Sequence, residues 1–417
     1  MRYASITRRL EGLGADKWAL HFAALAKIEA GENVVMLSIG EPDFAAPRAV
    51  AEAAIRGIEA GRVRYSSGRG EANVLEAIAA RYARRTGRAI STDQVIFLPG
   101  TQTALLATVR ALAETGDEVI VPEPFYVTYD GIVAATGAAQ VAVATRSEAG
   151  FHLTAADLRK AITRRSRVLL LNSPSNPSGA VLSAGEIAEI GALCVEHDLW
   201  MVSDEVYDTL VFGDVEFASP FDDPVLAKRT VVVSSLSKSH SMTGYRAGWA
   251  VGPEEFCTRM LPFAEAMLFG CQPFIQDAAA FALSRDFEEC ELMRQALEQR
   301  GRRTVEILAQ SSTIRAPMPE GGMFVFADVR ATGMSGEAFA LGLLAEENVA
   351  VMPGESFGAA GAGHVRISLT ASPRGWSATA GHQRLDARRG CVVYQGEAPA
   401  PTQPLTPPRR GPVACTD

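Results

Sequence analysis

The sequence has no uninterrupted apolar run approaching the ~18 residues that would suggest a membrane-spanning helix. It has no basic excess either: 40 Lys and Arg stand against 48 Asp and Glu, giving a formal charge of −8 and a pI near 5.5. That balance argues against a nucleic-acid partner, which usually requires a basic surface. The six cysteines (Cys194, Cys257, Cys271, Cys290, Cys391 and Cys415) are scattered, with no Cys-x-x-Cys pair and no paired histidine spacing beside them. Neither a zinc site nor a disulfide framework is therefore expected, and reduced thiols in a cytoplasmic protein are. The first helical stretch carries Arg8, Arg9, Glu11, Asp16 and Lys17, which does not fit a secretory signal. No repeat of solenoid period is present.

What remains is an ordinary globular composition, 47% hydrophobic and 21% charged over 417 residues. That length suits two domains, or one large α/β unit with an accessory part. From residue 94 apolar runs recur at Val95–Leu98, Glu118–Val121, Gln140–Ala144, Val168–Leu171, Trp200–Ser203, Thr230–Val233 and Ala247–Val251. Helical-looking segments bridge most of them, the alternation expected of a largely parallel sheet covered on both faces. Ligands in such folds sit at the carboxyl ends of the strands. Polar or conformationally special residues follow five of those ends: Gly100-Thr101-Gln102, Pro124-Phe125-Tyr126, Asn172 to Gly179, Asp204 to Tyr207 and Ser235 to Lys238. Five loops on one rim predict one site.

The centre of that site is the stretch Val231-Val232-Val233-Ser234-Ser235-Leu236-Ser237-Lys238, continuing to Arg246 between Gly244 and Gly248. A lysine held at a dry strand end can lose its proton and condense with a carbonyl. Ser235, Ser237 and Arg246 can hold an anion beside it, the arginine as a planar fork of donors. A phosphorylated aldehyde would satisfy both. The helix 101–113 after Gly100 adds N-terminal amides suited to an anion.

Outside the alternation, residues 15–30 place Trp18, Phe22, Leu25 and Ile28 at helical spacing, an amphipathic helix packing on the body. Val34 to Ile39 reads as a strand leading into the turn Gly40-Glu41-Pro42-Asp43. A second region begins with a long helix at 285–310 and includes strands near 320–326 and 364–369. The expected division is a large domain, 46–284, and a smaller α+β domain built from 1–45 and 285–372. Residues 373–417 are rich in proline and glycine and are expected to be extended or disordered.

With these residues assembled, the chain resembles the class I/II aminotransferases, enzymes of the aspartate-aminotransferase-like fold type I that use pyridoxal 5'-phosphate. Asn172-Ser173-Pro174-Ser175-Asn176-Pro177-Ser178-Gly179 is similar to that family's Asn-Pro-Thr/Ser-Gly loop, and Ser203-Asp204-Glu205-Val206-Tyr207 to its Asp-Glu-x-Tyr segment. Ser235-x-Ser237-Lys238 with Arg246 resembles its lysine signature. Longer stretches around Trp200–Tyr207, Ser237–Gly244 and Phe274–Ala279 resemble the subgroup that pairs arginine with pyruvate.

The resemblance implies a fold-type I transferase, with a seven-stranded, mostly parallel sheet in the large domain. It implies that Lys238 carries the cofactor and moves the substrate Cα proton, and that Asp204 keeps the pyridine nitrogen protonated. Asn176 and Tyr207 would donate to the phenolate oxygen, and Tyr126 would stack on the ring. Gly100, Thr101, Gln102, Ser235 and Arg246 would cradle the phosphate, with Tyr65 reaching it from a second subunit of a homodimer. Arg366, with Gly40 and Asn176, would bind the substrate α-carboxylate. No lysine stands at Gln102, where some aspartate-preferring relatives carry one, so a dicarboxylate preference is not expected. If arginine is the donor, Glu11 and Asp16 are both candidates for its guanidinium.

The tail departs from the family, whose members continue with an amphipathic helix, and a divergent or out-of-frame C-terminus is expected. The leading expectation is a ping-pong transaminase. The same fold and lysine also serve β-elimination and amine oxidation, and related domains act as amino-acid sensors.

Overall fold

In the computed structural model, which describes residues 1–371, all seven apolar runs of the alternation become strands of one sheet. In chain order the strands are β1 (Val35–Met36), β2 (Val95–Pro99), β3 (Glu118–Glu123), β4 (Ala139–Ala144), β5 (Ser166–Asn172) and β6 (Trp200–Asp204). β7 (Thr230–Ser235), β8 (Ala247–Val251), β9 (Phe324–Asp328), β10 (Val349–Ala350), β11 (Met352–Pro353) and β12 (His364–Ser368) follow. The large sheet has the order β2-β8-β7-β6-β5-β3-β4. β8 runs antiparallel to both neighbours and the other pairs are parallel.

Alternate side chains of each central strand feed different cores, because successive residues of a strand point to opposite faces. Val231 and Val233 of β7 join one apolar cluster with Ile96, Leu98, Val168 and Leu170. Val232 faces the other way, into a cluster with Val95, Phe97 and Trp249, while Leu169 and Leu171 pack with Ile190 and Met201. A sheet buried on both faces needs unbroken β-branched and aliphatic runs, which is why these segments carry them. Each fully buried aliphatic or aromatic side chain contributes about 1.5–3 kcal/mol.

A separate core forms around the antiparallel sheet β11-β12-β9, where Val325, Ala327, Val365 and Ile367 pack with Met293 and Leu297 of the helix Glu288–Leu308. The two-stranded parallel pair β1–β10 closes the same core through Val35 and Ala350.

Two local expectations are corrected. The helix Ala19–Glu29 turns Leu20, His21 and Ala24 inward, leaving Phe22, Leu25 and Ile28 exposed. Its phase is set by Leu20 and Ala24 packing into the core of the smaller sheet and by His21 Nδ1 meeting Ser38 Oγ at 2.9 Å. The strand expected over Val34–Ile39 is only Val35–Met36. Beyond it the Leu37 carbonyl accepts from the Ser368 amide at the end of β12, and the Ser38 carbonyl accepts from Arg366. The expectations for residues 373–417 lie outside the described residues.

Candidate active site

The carboxyl ends of β2, β3, β5, β6 and β7 open onto one cavity of about 330 Å³. Its wall includes Thr101, Gln102, Tyr126, Asn172, Asn176, Asp204, Tyr207 and Lys238 from the rim loops, with Arg246 beside them. The smaller sheet and the N-terminal segment close it with Trp18, Ile39, Gly40, Glu41, Phe324 and Arg366.

Lys238 follows β7 in the single turn Leu236–Ser239, which Ser235 starts by accepting from the Ser237 amide at 3.3 Å. Its Nζ donates to the Gly40 carbonyl at 2.6 Å, spanning the cavity. Burial pushes the amine down to about 8, opposed by the Glu41 carboxylate and assisted by Arg366 and Arg246. A substantial fraction is therefore neutral and nucleophilic near physiological pH.

Asp204 ends β6 almost fully buried, accepting from the Tyr129 hydroxyl at 2.7 Å and the Val206 amide at 3.3 Å. Burial raises its carboxyl to about 6 despite both donors. A carboxylate in such surroundings gains most from a cationic N–H placed opposite it. Tyr207 and Asn176 both line the cavity, and burial holds the Tyr207 phenol well above the ordinary range.

Arg366 is 1% exposed, its guanidinium carbon 4.1 Å from the Phe324 ring centre and 4.8 Å from that of Phe357. Nη1 donates to Asn176 Oδ1 at 2.9 Å and Nη2 to the Ser38 carbonyl at 2.6 Å, while the buried Nε has no partner among the described residues. Burial brings its pKa down to about 10. A buried guanidinium with no carboxylate against it among the described residues calls for an anionic ligand.

At the far end Thr101 opens the helix Thr101–Leu112 and donates to Ser235 Oγ at 2.8 Å. Arg246, held in the left-handed region at φ 56°, donates to the carbonyls of Thr243 and Pro99. A Cβ on Gly100 would fall 2.1 Å from Arg246 Nη2, so a bare backbone is needed where the arginine meets the helix start. Helix amides, hydroxyls and a guanidinium together form a phosphate cradle. Lys238, Asp204 and this cradle fit pyridoxal phosphate at three separate chemical groups of the cofactor.

Ser235, Tyr65, Glu11 and Asp16 lie off the cavity wall. Ser235 is buried behind Thr101 and Ser237 takes its place on the wall. Tyr65 is 85% exposed and packs edge-on against Phe269, outside its own subunit's cavity, as a residue expected to serve a second subunit would be. Neither Glu11 nor Asp16 lines the cavity, whereas Glu41 does, accepting from Thr243 Oγ1 at 2.6 Å. Sequence reasoning passed over Trp18, Glu41, Tyr129 and Phe324. Glu41 had a signal, adjoining Gly40 in a turn already marked for the site.

Comparison with known proteins places the chain in a family. The family model described as aminotransferase class I and II matches residues 32–375. An arginine–pyruvate transaminase of Pseudomonas aeruginosa is 47% identical over 88% of this chain and 94% of its own. An aspartate aminotransferase of Geobacillus stearothermophilus is 36% identical over 82% and 88% respectively. Among solved structures, the aspartate aminotransferase of Thermus thermophilus with maleate superposes with a TM-score of 0.84 at 33% identity, covering 90% of this chain and 97% of that one.

Proposed function

The chain belongs to the class I and II aminotransferases, and from that premise we propose which of its residues carry the reaction and which amino acid it takes. It is a pyridoxal-phosphate-dependent enzyme of fold type I that moves an amino group from an amino acid to a 2-oxo acid. The observation that carries the assignment of roles is the Lys238 amine, its pKa lowered by burial, in one cavity with Asp204, Arg246 and Arg366.

When bound, pyridoxal phosphate supplies an aldehyde carbon that carries the amino group and a ring that withdraws electrons. Lys238, whose amine is neutral in part near physiological pH, would hold the cofactor at that carbon and would serve as the base for the substrate Cα proton. Asp204 holds the ring nitrogen's proton, and Tyr129 keeps the carboxylate oriented. Asn176 and Tyr207, both on the cavity wall, would donate at the ring oxygen, and Tyr126 would stack on the ring. Thr101, Gln102, Ser237 and Arg246 take the phosphate, with Gly100 allowing the close approach and Ser235 orienting Thr101. Arg366 orients the substrate through its α-carboxylate, assisted by Gly40 and Asn176.

We propose arginine as donor and pyruvate as acceptor, a reading supported by the Pseudomonas relative's name. Glu41 is the one carboxylate besides Asp204 on the cavity wall among the described residues, placed to meet a guanidinium. Alanine formation from arginine and pyruvate, compared with citrulline as donor, tests this: equal rates would remove the case for a cationic side chain. The enzyme is further proposed to be a cytoplasmic homodimer in which Tyr65 of each subunit completes the other's phosphate site. Its proposed division is 46–284 against 1–45 with 285–372.

A further inference from the structure

We infer that Glu123, which lies outside the cavity wall, is a positioning residue for substrate recognition: it ties the turn at 354–361 to the end of β3 and so fixes Phe357 under Arg366. The argument begins at the backbone. Glu123 closes β3, and its carbonyl accepts from Thr145 N at 2.9 Å and Thr145 Oγ1 at 2.7 Å, which anchors it to the large sheet. Its side chain, 8% exposed, crosses to the smaller sheet's turn, where Oε1 accepts from the Ala359 amide at 2.9 Å and Oε2 from the Ala360 amide at 3.2 Å. Each oxygen is thus matched to one amide, an arrangement only a carboxylate satisfies.

The turn is shaped for this contact. Gly358 sits at φ 106°, and a Cβ there would lie 2.1 Å from Glu123 Oε1. Two residues beyond Glu123, the Phe125 amide donates to the Phe357 carbonyl at 2.9 Å, a second tie between the same two segments. Phe357 is fully buried, and its ring centre lies 4.8 Å from the Arg366 guanidinium carbon. Tyr126, next to Phe125, stands on the cavity wall. A shift of the turn therefore moves the ring that supports Arg366 and strains the link to Tyr126, although Glu123 lines no part of the cavity.

The inference rests on the proposed role of Arg366 toward the α-carboxylate, the one group that a basic amino donor and pyruvate share. Glu123→Gln keeps one hydrogen bond and sets an amide NH₂ against the other backbone N–H. Ala359→Pro removes the N–H that Oε1 accepts, at a first helical position that suits proline. Steady-state kinetics of both variants and of Arg366→Lys, with cofactor binding and thermal midpoint recorded beside them, are the test. The expected result is a rise of about tenfold in KM for donor and acceptor alike in Glu123→Gln, with kcat within about threefold of the wild type. Ala359→Pro should show the same pattern, and should Glu123→Gln fail to fold, it decides alone. Unchanged KM values, a rise for one substrate only, or a fall in kcat at constant KM would overturn the inference. If Arg366→Lys itself leaves both KM values unchanged, the proposed role of Arg366 fails instead.

Discussion

Tyr129 donates its hydroxyl to Asp204 at 2.7 Å from beneath the cavity, so the carboxylate assigned to the cofactor ring is itself held by a buried phenol. The tyrosine opens the helix Tyr129–Thr136, and its edge meets the Tyr126 ring at a centre distance of 5.7 Å. Tyr129→Phe removes a donor that lowers the Asp204 pKa, leaving burial to raise it further. A hydrogen bond to a charged group contributes about 1.5–3 kcal/mol, so kcat should fall roughly 10- to 100-fold. The loss should be steepest on the acid side, where Asp204 protonates first, and a pH–kcat profile measures it.

Arg366 is fixed from two sides by Asn176 and Ser38 and stacked between two phenylalanines, so a lysine cannot reproduce its fork. Arg366→Lys should raise KM for donor and acceptor by about 10- to 100-fold, the equivalent of one or two charge-assisted hydrogen bonds. Initial-rate measurements with each substrate varied in turn give the answer.

Much of this was legible in the sequence because its signals are local. Val231–Val233 is β-branched throughout, since both faces of β7 are covered, and the polar residues ending five such runs mark the rim. Lys238, Asn176 and Tyr207 stood in motifs just past strand ends, Asp204 at the end of β6, and Arg366 within the short run that forms β12. What depends on three-dimensional approach was not legible. Tyr129 looks like one more apolar helix residue until its hydroxyl is seen to reach Asp204 at the end of β6. Phe22, Leu25 and Ile28 have helical spacing, yet the phase of their helix is decided by Leu20 and Ala24 finding the smaller core. Ser235 and Ser237 differ by half a turn, and only the backbone shows which faces the cavity.

His152 binds the loop before β9 to the large sheet's surroundings, with Nδ1 2.8 Å from Glu186 and Nε2 3.0 Å from Glu320. The Glu320 hydrogen bond is the main cause raising its pKa to about 9. Because the folded value exceeds the unfolded value of ~6.5, the stabilisation is complete below about 6.5 and disappears as pH rises through 9. His152→Gln should cost about 1–2 kcal/mol at pH 6.5, allowing for solvent screening of a partly exposed pair, and far less at pH 10. Urea unfolding at the two pH values checks it.

Tyr65 is largely exposed beside Phe269, itself 72% exposed. If each subunit lends this tyrosine to its neighbour, Tyr65→Phe and Lys238→Ala should complement when co-expressed. The hybrid has one site with both residues intact, so activity should exceed that of either variant alone, as measured on the tagged heterodimer.

The most direct measurement is reductive trapping of pyridoxal phosphate on the purified chain, followed by peptide mass spectrometry across pH 6 to 10. With a Lys238 pKa near 8, the attachment rate should climb as the amine loses its proton, with a midpoint near that pH. The label should fall on Lys238 and not on Lys17, Lys27, Lys160 or Lys228, and Lys238→Ala should carry none. A label on another lysine, or an unlabelled wild type, would contradict the account.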